Sequence, residues 1–341
     1  MANPQGPRNA RSIAVVLPCR NEAKTIASVL DAIEQQDLWP DEIIVVDDGS
    51  SDATVSVVGA WCARPHRGAV RVVTGPGRGP AAAMNKGIGL ARSEFIVRLD
   101  GHSCPRPDYI SRSIRTLIDR KAGVVGGVWD VAPGAATNVA RAIAAVLSHP
   151  IGSGCAAYRD ATRALGIIEP VDTVPFGCYP RAVWEAVGGY DEHLVANEDY
   201  DFNYRVREAG LAVLLNTDIR SAYGARPTLQ TLGRQYFRYG FWKMQMLRKS
   251  PAALRLRQVL PVLLLPLIAI TALLAVSMSS FLPLLAAAMY PALIAAAVLQ
   301  MHATRRDMKL IGPAFAAVLV QHLSWCAGFW HGLLYPPPKP A

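Results

Sequence analysis

The chain has 341 residues, 51% of them hydrophobic, and a formal charge of +9, which is more apolar than a typical soluble domain. Its six cysteines (Cys19, Cys62, Cys104, Cys155, Cys178 and Cys326) form no C-x-x-C pair. That spacing excludes a zinc ribbon and favours a reducing compartment over a disulfide framework. No recognition motif accompanies the basic excess, so anionic lipid and a diphosphate ligand account for it, and nucleic acid is not an expected partner.

In chain order, SIAVVLP (12–18) is an apolar run of strand length, far too short for a signal peptide, and none is expected. After CRNE, the segment AKTIASVLDAIEQQ places Ile26, Val29, Leu30 and Ile33 at helical spacing. EIIVV is the next strand, followed by the turn and N-cap residues DDGSSD and a helix running through Trp61. AVRVVT and EFIVRL are further strands, separated by GPGRGPAAAMNKGIGLAR, a glycine-rich turn that opens a helix. Such repeats predict an α/β fold with a mostly parallel, Rossmann-like sheet covered by helices. Ligands of these sheets bind beyond the carboxyl ends of the strands. Pro18 to Glu22, the pair Asp47 and Asp48, and Asp100 to His102 all fall there.

Three loops thus bring carboxylates, an amide and an imidazole to one rim, the mixture that a nucleoside diphosphate with a divalent cation needs. Taken singly, DDGS is equally a turn and helix cap. Further on, NEDYDFNYRVREAG places Glu198 and Asp199 at the start of a helix with Phe202, Val206 and Ala209 facing inward. Acids at a helix start stabilise its dipole, and they also stand at the site rim.

The C-terminal part has another character. No charged residue occurs from Val259 to Gln300 or from Leu310 to Tyr335, which is room for a hairpin of two spans and one more at about 20 residues each. Eight Lys or Arg and no acid lie from Arg226 through Arg257, and the loop MHATRRDMK is basic too, so both face the cytoplasm by the positive-inside rule. The expected organisation is a cytoplasmic catalytic domain over 1–250 and a membrane region over 251–341 with about three transmembrane helices. The chain then sits as a multi-pass protein in the inner (plasma) membrane of the cell.

VVLPCRNEAKTI, EIIVVDDGSSDAT, AAAMNKGIGLARSEFIVRLDGH and PFGCYPRAVWEAVGGYDEHLVANEDYDFNYRVREAG resemble, in order and spacing, the family 2 glycosyltransferases of the GT-A fold. The later GRQYFRYGFWK most resembles the branch with the succinoglycan-type glucosyltransferases, membrane-attached enzymes that extend lipid-linked sugars. The resemblance implies inverting transfer from a nucleotide sugar, usually a UDP-sugar, to a lipid-linked saccharide, assisted by Mg²⁺ or Mn²⁺. By position it implies that Pro18, Asn21 and Glu22 surround the nucleoside and that Asp48, with Asp47 beside it, contacts the base. Arg78 and Asn85 approach the diphosphate, although a solvated arginine fits Arg78 equally well. Asp100 is the first acid of the Asp-x-Asp motif, and His102 departs from it where the second acid is usual. A neutral imidazole is a competent Mn²⁺ ligand; a loop histidine held by a hydrogen bond is the other reading. Asp199 is the implied catalytic base, supported by Glu198.

QYFRY looks like a relative of the Gln-x-x-Arg-Trp motif, so Gln235, Arg238 and Tyr239 are candidates for the acceptor or diphosphate. An amphipathic helix at the membrane surface explains the same residues. Direct transfer to polyprenyl phosphate, and a non-catalytic membrane scaffold that binds a nucleotide sugar, are the alternatives to transfer onto a lipid-linked saccharide.

Overall fold

A computed structural model describes residues 12–303 and 307–337. Arg305 and Arg306, two of the cations in the basic loop used for orientation, lie outside the described residues. The chain divides into two compact units, one formed by the residues through Trp129 with Arg163–Tyr223, the other by Asp130–Thr162 with the residues from Gly224 on.

The first unit opens with the expected alternation: β1 (Ile13–Cys19), α1 (Ile26–Glu34), β2 (Glu42–Asp47), α2 (Thr54–Cys62), β3 (Val70–Thr74), α3 (Pro80–Leu90) and β4 (Phe95–Arg98). Every residue of β1 and β4 is buried, as continuous apolar runs are when both faces of a parallel sheet are covered. Helix α1 turns Ile26, Val29, Leu30 and Ile33 inward, as their spacing requires. No residue of β3 is fully buried, and β3 is the edge of the sheet.

There follow β5 (Cys104–Pro105), α4 (Tyr109–Arg120) and β6 (Val124–Ala132), then α5 (Asn138–Leu147) and α6 (Pro150–Ser153), which belong to the second unit. β7 (Ile168–Pro170), β8 (Cys178–Pro180), α7 (Arg181–Ala186), α8 (Glu198–Glu208) and β9 (Val213–Gly224) complete the sheet region. The strand order is β3-β2-β1-β4-β8-β6-β9-β5, with β7 also on β9. β1 pairs in parallel with β2 and β4, and β2 with β3. β8 joins β4 in antiparallel register, Val97 opposite Cys178, while β5 and β7 run antiparallel to β9. The fold is therefore α/β with a mixed sheet, and its parallel strands carry the candidate loops at their carboxyl ends. In α8, Phe202 and Val206 are buried as expected, but Ala209 is exposed because the helix ends at Glu208 and Ala209 is its cap.

In the second unit, α9 (Leu229–Lys249) starts at a capping box between Thr228 and Thr231 and is followed by α10 (Leu256–Val262), α11 (Leu264–Ser277), α12 (Leu282–Ala303) and α13 (Ile311–Leu334). α9 and α13 touch closely: a Cβ on Gly240 would strike the Trp325 carbonyl, and one on Gly328 the Phe237 carbonyl, the small-residue contact typical of apolar helix pairs. Among the described residues, two helices are long and apolar enough to cross a membrane, Leu282–Met301 and Met308–Leu334. Leu284, Leu285, Met289 and Leu293 of α12 are exposed. The remaining apolar stretch is interrupted at Leu263, after Pro261, so that α11 has only 14 residues. Alone it is shorter than the roughly 20 residues that a bilayer requires.

Candidate active site

The loops after β1 and β2 are laced together by backbone groups. Asn21 adopts φ 58, a left-handed conformation that asparagine tolerates better than most residues. Its N–H donates to Ser50 Oγ (2.9 Å), and its Oδ1 accepts from Ser51 N–H (2.8 Å). Glu22 N–H donates to Thr54 Oγ1 at 2.8 Å. Pro18 lies in β1 opposite Val46.

The two aspartates at the end of β2 differ. Asp48 is buried and accepts from two amides of the glycine-rich loop, Oδ1 from Gly77 N–H (2.7 Å) and Oδ2 from Gly79 N–H (2.6 Å). That loop exists because Gly77 and Gly79 take φ values of 73 and 103, which side chains disfavour. Asp47 Oδ2 accepts weakly from Ser50 N–H (3.3 Å), whereas its Oδ1 is buried with no hydrogen-bond partner. A buried carboxylate oxygen without a donor is costly, so Asp47, more than Asp48, holds the open acceptor. Asp48→Ala is expected to lose about 2–3 kcal/mol of stability, since it leaves two amides without a charged acceptor, and to weaken nucleotide capture about tenfold. Thermal unfolding and calorimetric titration with UDP and GDP measure the two effects.

Arg78 forms an ion pair with Glu192 (2.8 Å) while remaining partly exposed. Asn85 is saturated: its Nδ2 donates to the Tyr190 carbonyl (2.8 Å) and Glu192 Oε1 (3.0 Å), and its Oδ1 accepts from Trp184 Nε1 (3.1 Å) and Tyr190 N–H (2.8 Å). In this structure Asn85 anchors the Tyr190–Glu192 turn to α3, with both ends of its amide engaged by protein.

The acidic residues meet around Arg98, the last residue of β4. Its Nε donates to Asp100 Oδ1 (2.9 Å) and its Nη2 to Glu198 Oε1 (2.8 Å). Burial pushes the Glu198 carboxyl up to about 7, with Arg98 opposing the shift, and burial likewise raises that of Asp199. Asp199 follows Asn197, another left-handed asparagine (φ 64), and its Oδ1 accepts from Tyr200 N–H at 2.7 Å. His102 meets Glu22 through Nδ1 and Oε1 at 2.9 Å.

Among the described residues no group of three or more His, Cys, Asp or Glu side chains is arranged as a metal cage. The donor set still fits a hard cation that draws its other ligands from phosphate and water. Asp100 would supply oxygen, and a histidine oriented at one nitrogen by a carboxylate is how metal sites prepare the other. Burial, and after it the charges of Asp47, Glu22, Asp48 and Asp52, push the Cys19 thiol up to about 12, so Cys19 stays protonated at neutral pH and is no candidate nucleophile.

Gln235, Arg238 and Tyr239 lie on α9, in the second unit. Gln235 Nε2 donates to Tyr239 OH (2.9 Å), and Tyr236 OH accepts from Arg159 Nη1 (2.7 Å). Sequence reasoning missed Arg98, Tyr190 and Glu192. Arg98 had a readable signal, a lone charge inside the apolar strand EFIVRL; Tyr190 and Glu192, in a turn, had none.

Residues 14–167 match the family described as glycosyl transferase family 2. The chain is 29% identical over 329 residues to the succinoglycan biosynthesis protein ExoA of Rhizobium meliloti (strain 1021), covering 95% of each. It is 25% identical, over 70% of its length and 74% of the relative's, to a dolichyl N-acetyl-alpha-D-glucosaminyl phosphate 3-beta-D-2,3-diacetamido-2,3-dideoxy-beta-D-glucuronosyltransferase of Methanococcus voltae. Its fold matches that of the mannosyltransferase PcManGT from Pyrobaculum calidifontis, solved in complex with GDP-Man and Mn²⁺, at a TM-score of 0.62 and 21% identity over 93% of this chain and 89% of the other.

Proposed function

Because residues 14–167 are a glycosyl transferase family 2 domain and the chain is a glycosyltransferase of polysaccharide or glycoconjugate biosynthesis, we propose that it is an inverting enzyme acting at the cytoplasmic face of a membrane. It transfers a sugar from a nucleoside diphosphate donor to a lipid-linked saccharide. The observation that carries this reading is that Asp100 and the Glu198–Asp199 pair, about a hundred residues apart in sequence, share one ion cluster through Arg98. A donor-side acid and a base-side acid are thereby set on one centre.

Inversion is one displacement: the acceptor hydroxyl forms the new bond at the anomeric carbon as the bond to diphosphate breaks, and a base takes the hydroxyl proton. Glu198 is bound to Arg98, which leaves Asp199 as that base. Asp47 Oδ1 supplies the open acceptor for a base N–H or ribose hydroxyl. Asp100 and His102 would hold Mn²⁺ or Mg²⁺, which when bound neutralises charge on the departing diphosphate. The Mn²⁺ complex of the mannosyltransferase with the same fold supports metal use, and the dolichyl-linked acceptor in the name of the Methanococcus relative supports a lipid-linked one. The apolar helices α12 and α13 support membrane anchoring, with residues 1–250 as the catalytic part and 251–341 as the membrane region.

The test is a screen of UDP- and GDP-sugars with the purified full chain and a membrane lipid extract as acceptor, with Mn²⁺ or Mg²⁺, followed by linkage analysis of the product. A lipid-bound product of inverted anomeric configuration is expected, as is recovery of the protein in the membrane fraction after alkaline wash. Retained configuration, or transfer to polyprenyl phosphate alone, would replace the proposed mechanism or acceptor.

A further inference from the structure

Arg98 is 4% exposed, and burying a guanidinium is expensive unless its partners are held well. Its backbone is fixed in the sheet, where the N–H donates to the Gly177 carbonyl at 3.1 Å. The side chain reaches Asp100 through Nε (2.9 Å) and through Nη2 (3.4 Å), and the same Nη2 reaches Glu198 (2.8 Å). The guanidinium carbon lies 5.6 Å from the centre of the Tyr190 ring, and the turn that carries Tyr190 is pinned to α3 by Asn85. Nη1 is buried with no hydrogen-bond acceptor. A cation placed only to neutralise its surroundings would face matched charge and have every donor used. Arg98 instead serves two acids from different elements, with Asp199 adjoining Glu198 and one donor nitrogen left open.

We propose that Arg98 is a positioning residue for sugar transfer: its planar fork fixes Asp100 on the donor side relative to Glu198, and through Glu198 sets Asp199 against the acceptor hydroxyl. This rests on the glycosyltransferase reading of the site. The fork is what matters, because lysine supplies the same charge as a point on a flexible stem and cannot hold two carboxylates in one plane.

The experiment compares wild type, Arg98→Lys and Arg98→Met as full chains, using whichever UDP- or GDP-sugar the wild type turns over. Donor KM, kcat and the thermal midpoint are measured for each. Arg98→Lys should lose at least about 10²-fold in kcat while its donor KM stays within about threefold and its thermal midpoint near wild type, the pattern of an interaction realised in the transition state. Arg98→Met should lose as much or more; should it not fold, the lysine variant decides alone. Turnover by Arg98→Lys within threefold of wild type overturns the proposal. So does a loss of kcat, donor affinity and thermal stability together in that variant, which would make Arg98 a core ion pair only. In both cases wild-type transfer still stands, so the functional reading survives. A wild type that transfers no sugar from any donor removes that reading and this proposal with it.

Discussion

Asp199→Asn is expected to lower turnover by about 10²-fold or more while leaving nucleotide affinity near wild type. The amide keeps the shape and can still accept from Tyr200 N–H as Asp199 Oδ1 does, but it cannot take a proton, and a positioned base contributes roughly 10²–10⁴-fold. The pH profile carries the same assignment. A base works only when ionised, and burial raises the Asp199 carboxyl above its ordinary value while placing Glu198 at about 7. Turnover should therefore fall on the acid side at a pH above the ordinary carboxylate range. Steady-state kcat across pH 5 to 9 reads this limb in the wild type, and turnover by Asp199→Asn within a few-fold of wild type would reassign the base.

The second large effect is at Asp100. Asp100→Ala removes both the formal charge offered to a cation and the main partner of Arg98 Nε, so a loss of about 10²-fold is expected even at saturating Mn²⁺, with none of it recovered by more metal if the Arg98 contact dominates. His102→Ala should act differently. Its ring meets Glu22 at 2.9 Å, so it should raise the Mn²⁺ concentration needed for half-maximal turnover with little change at saturation. His102→Asp should restore much of the activity and shift preference toward Mg²⁺, because oxygen suits Mg²⁺ and nitrogen suits Mn²⁺. An unchanged metal titration in His102→Ala would leave Asp100 and the diphosphate to hold the ion.

How much of this was legible depends on what kind of signal each part carries. β1, α1 and β2 are periodic or continuous apolar runs whose spacing and length indicate their type, β4 is a shorter run in the same alternation, and the site loops follow because parallel strands place their carboxyl ends together. β5, β7 and β8 are only two or three residues long, too short for a period, and their pairing is set by tertiary contacts. At the site, the acids were visible by type and position, but not the use each one has. Asp47 and Asp48 are adjacent and chemically identical; only the course of the glycine-rich loop makes one a structural acceptor and leaves the other open. The contacts of Asn85 and Arg78 with Tyr190 and Glu192 were not legible, because those partners lie about a hundred residues further along the chain.

The place of β8 between β4 and β6 bears on how the molecule is made. β6 leaves the ribosome before β8, so the sheet must keep a slot open while roughly eighty residues separating Val97 from Cys178 are still being added. At a synthesis rate of about 5–20 residues per second, that interval is about 4 to 16 s. Throughout it the Phe95–Val97 edge shows unpaired amide and carbonyl groups flanked by apolar side chains, the kind of surface on which a neighbouring chain can add a strand. Arg98, already placed at the end of that edge, waits longer still, about a hundred residues, for Glu198. Biogenesis of this enzyme is thus most exposed to mispairing in mid-translation, and a chaperone or the membrane surface has most to shield at that stage.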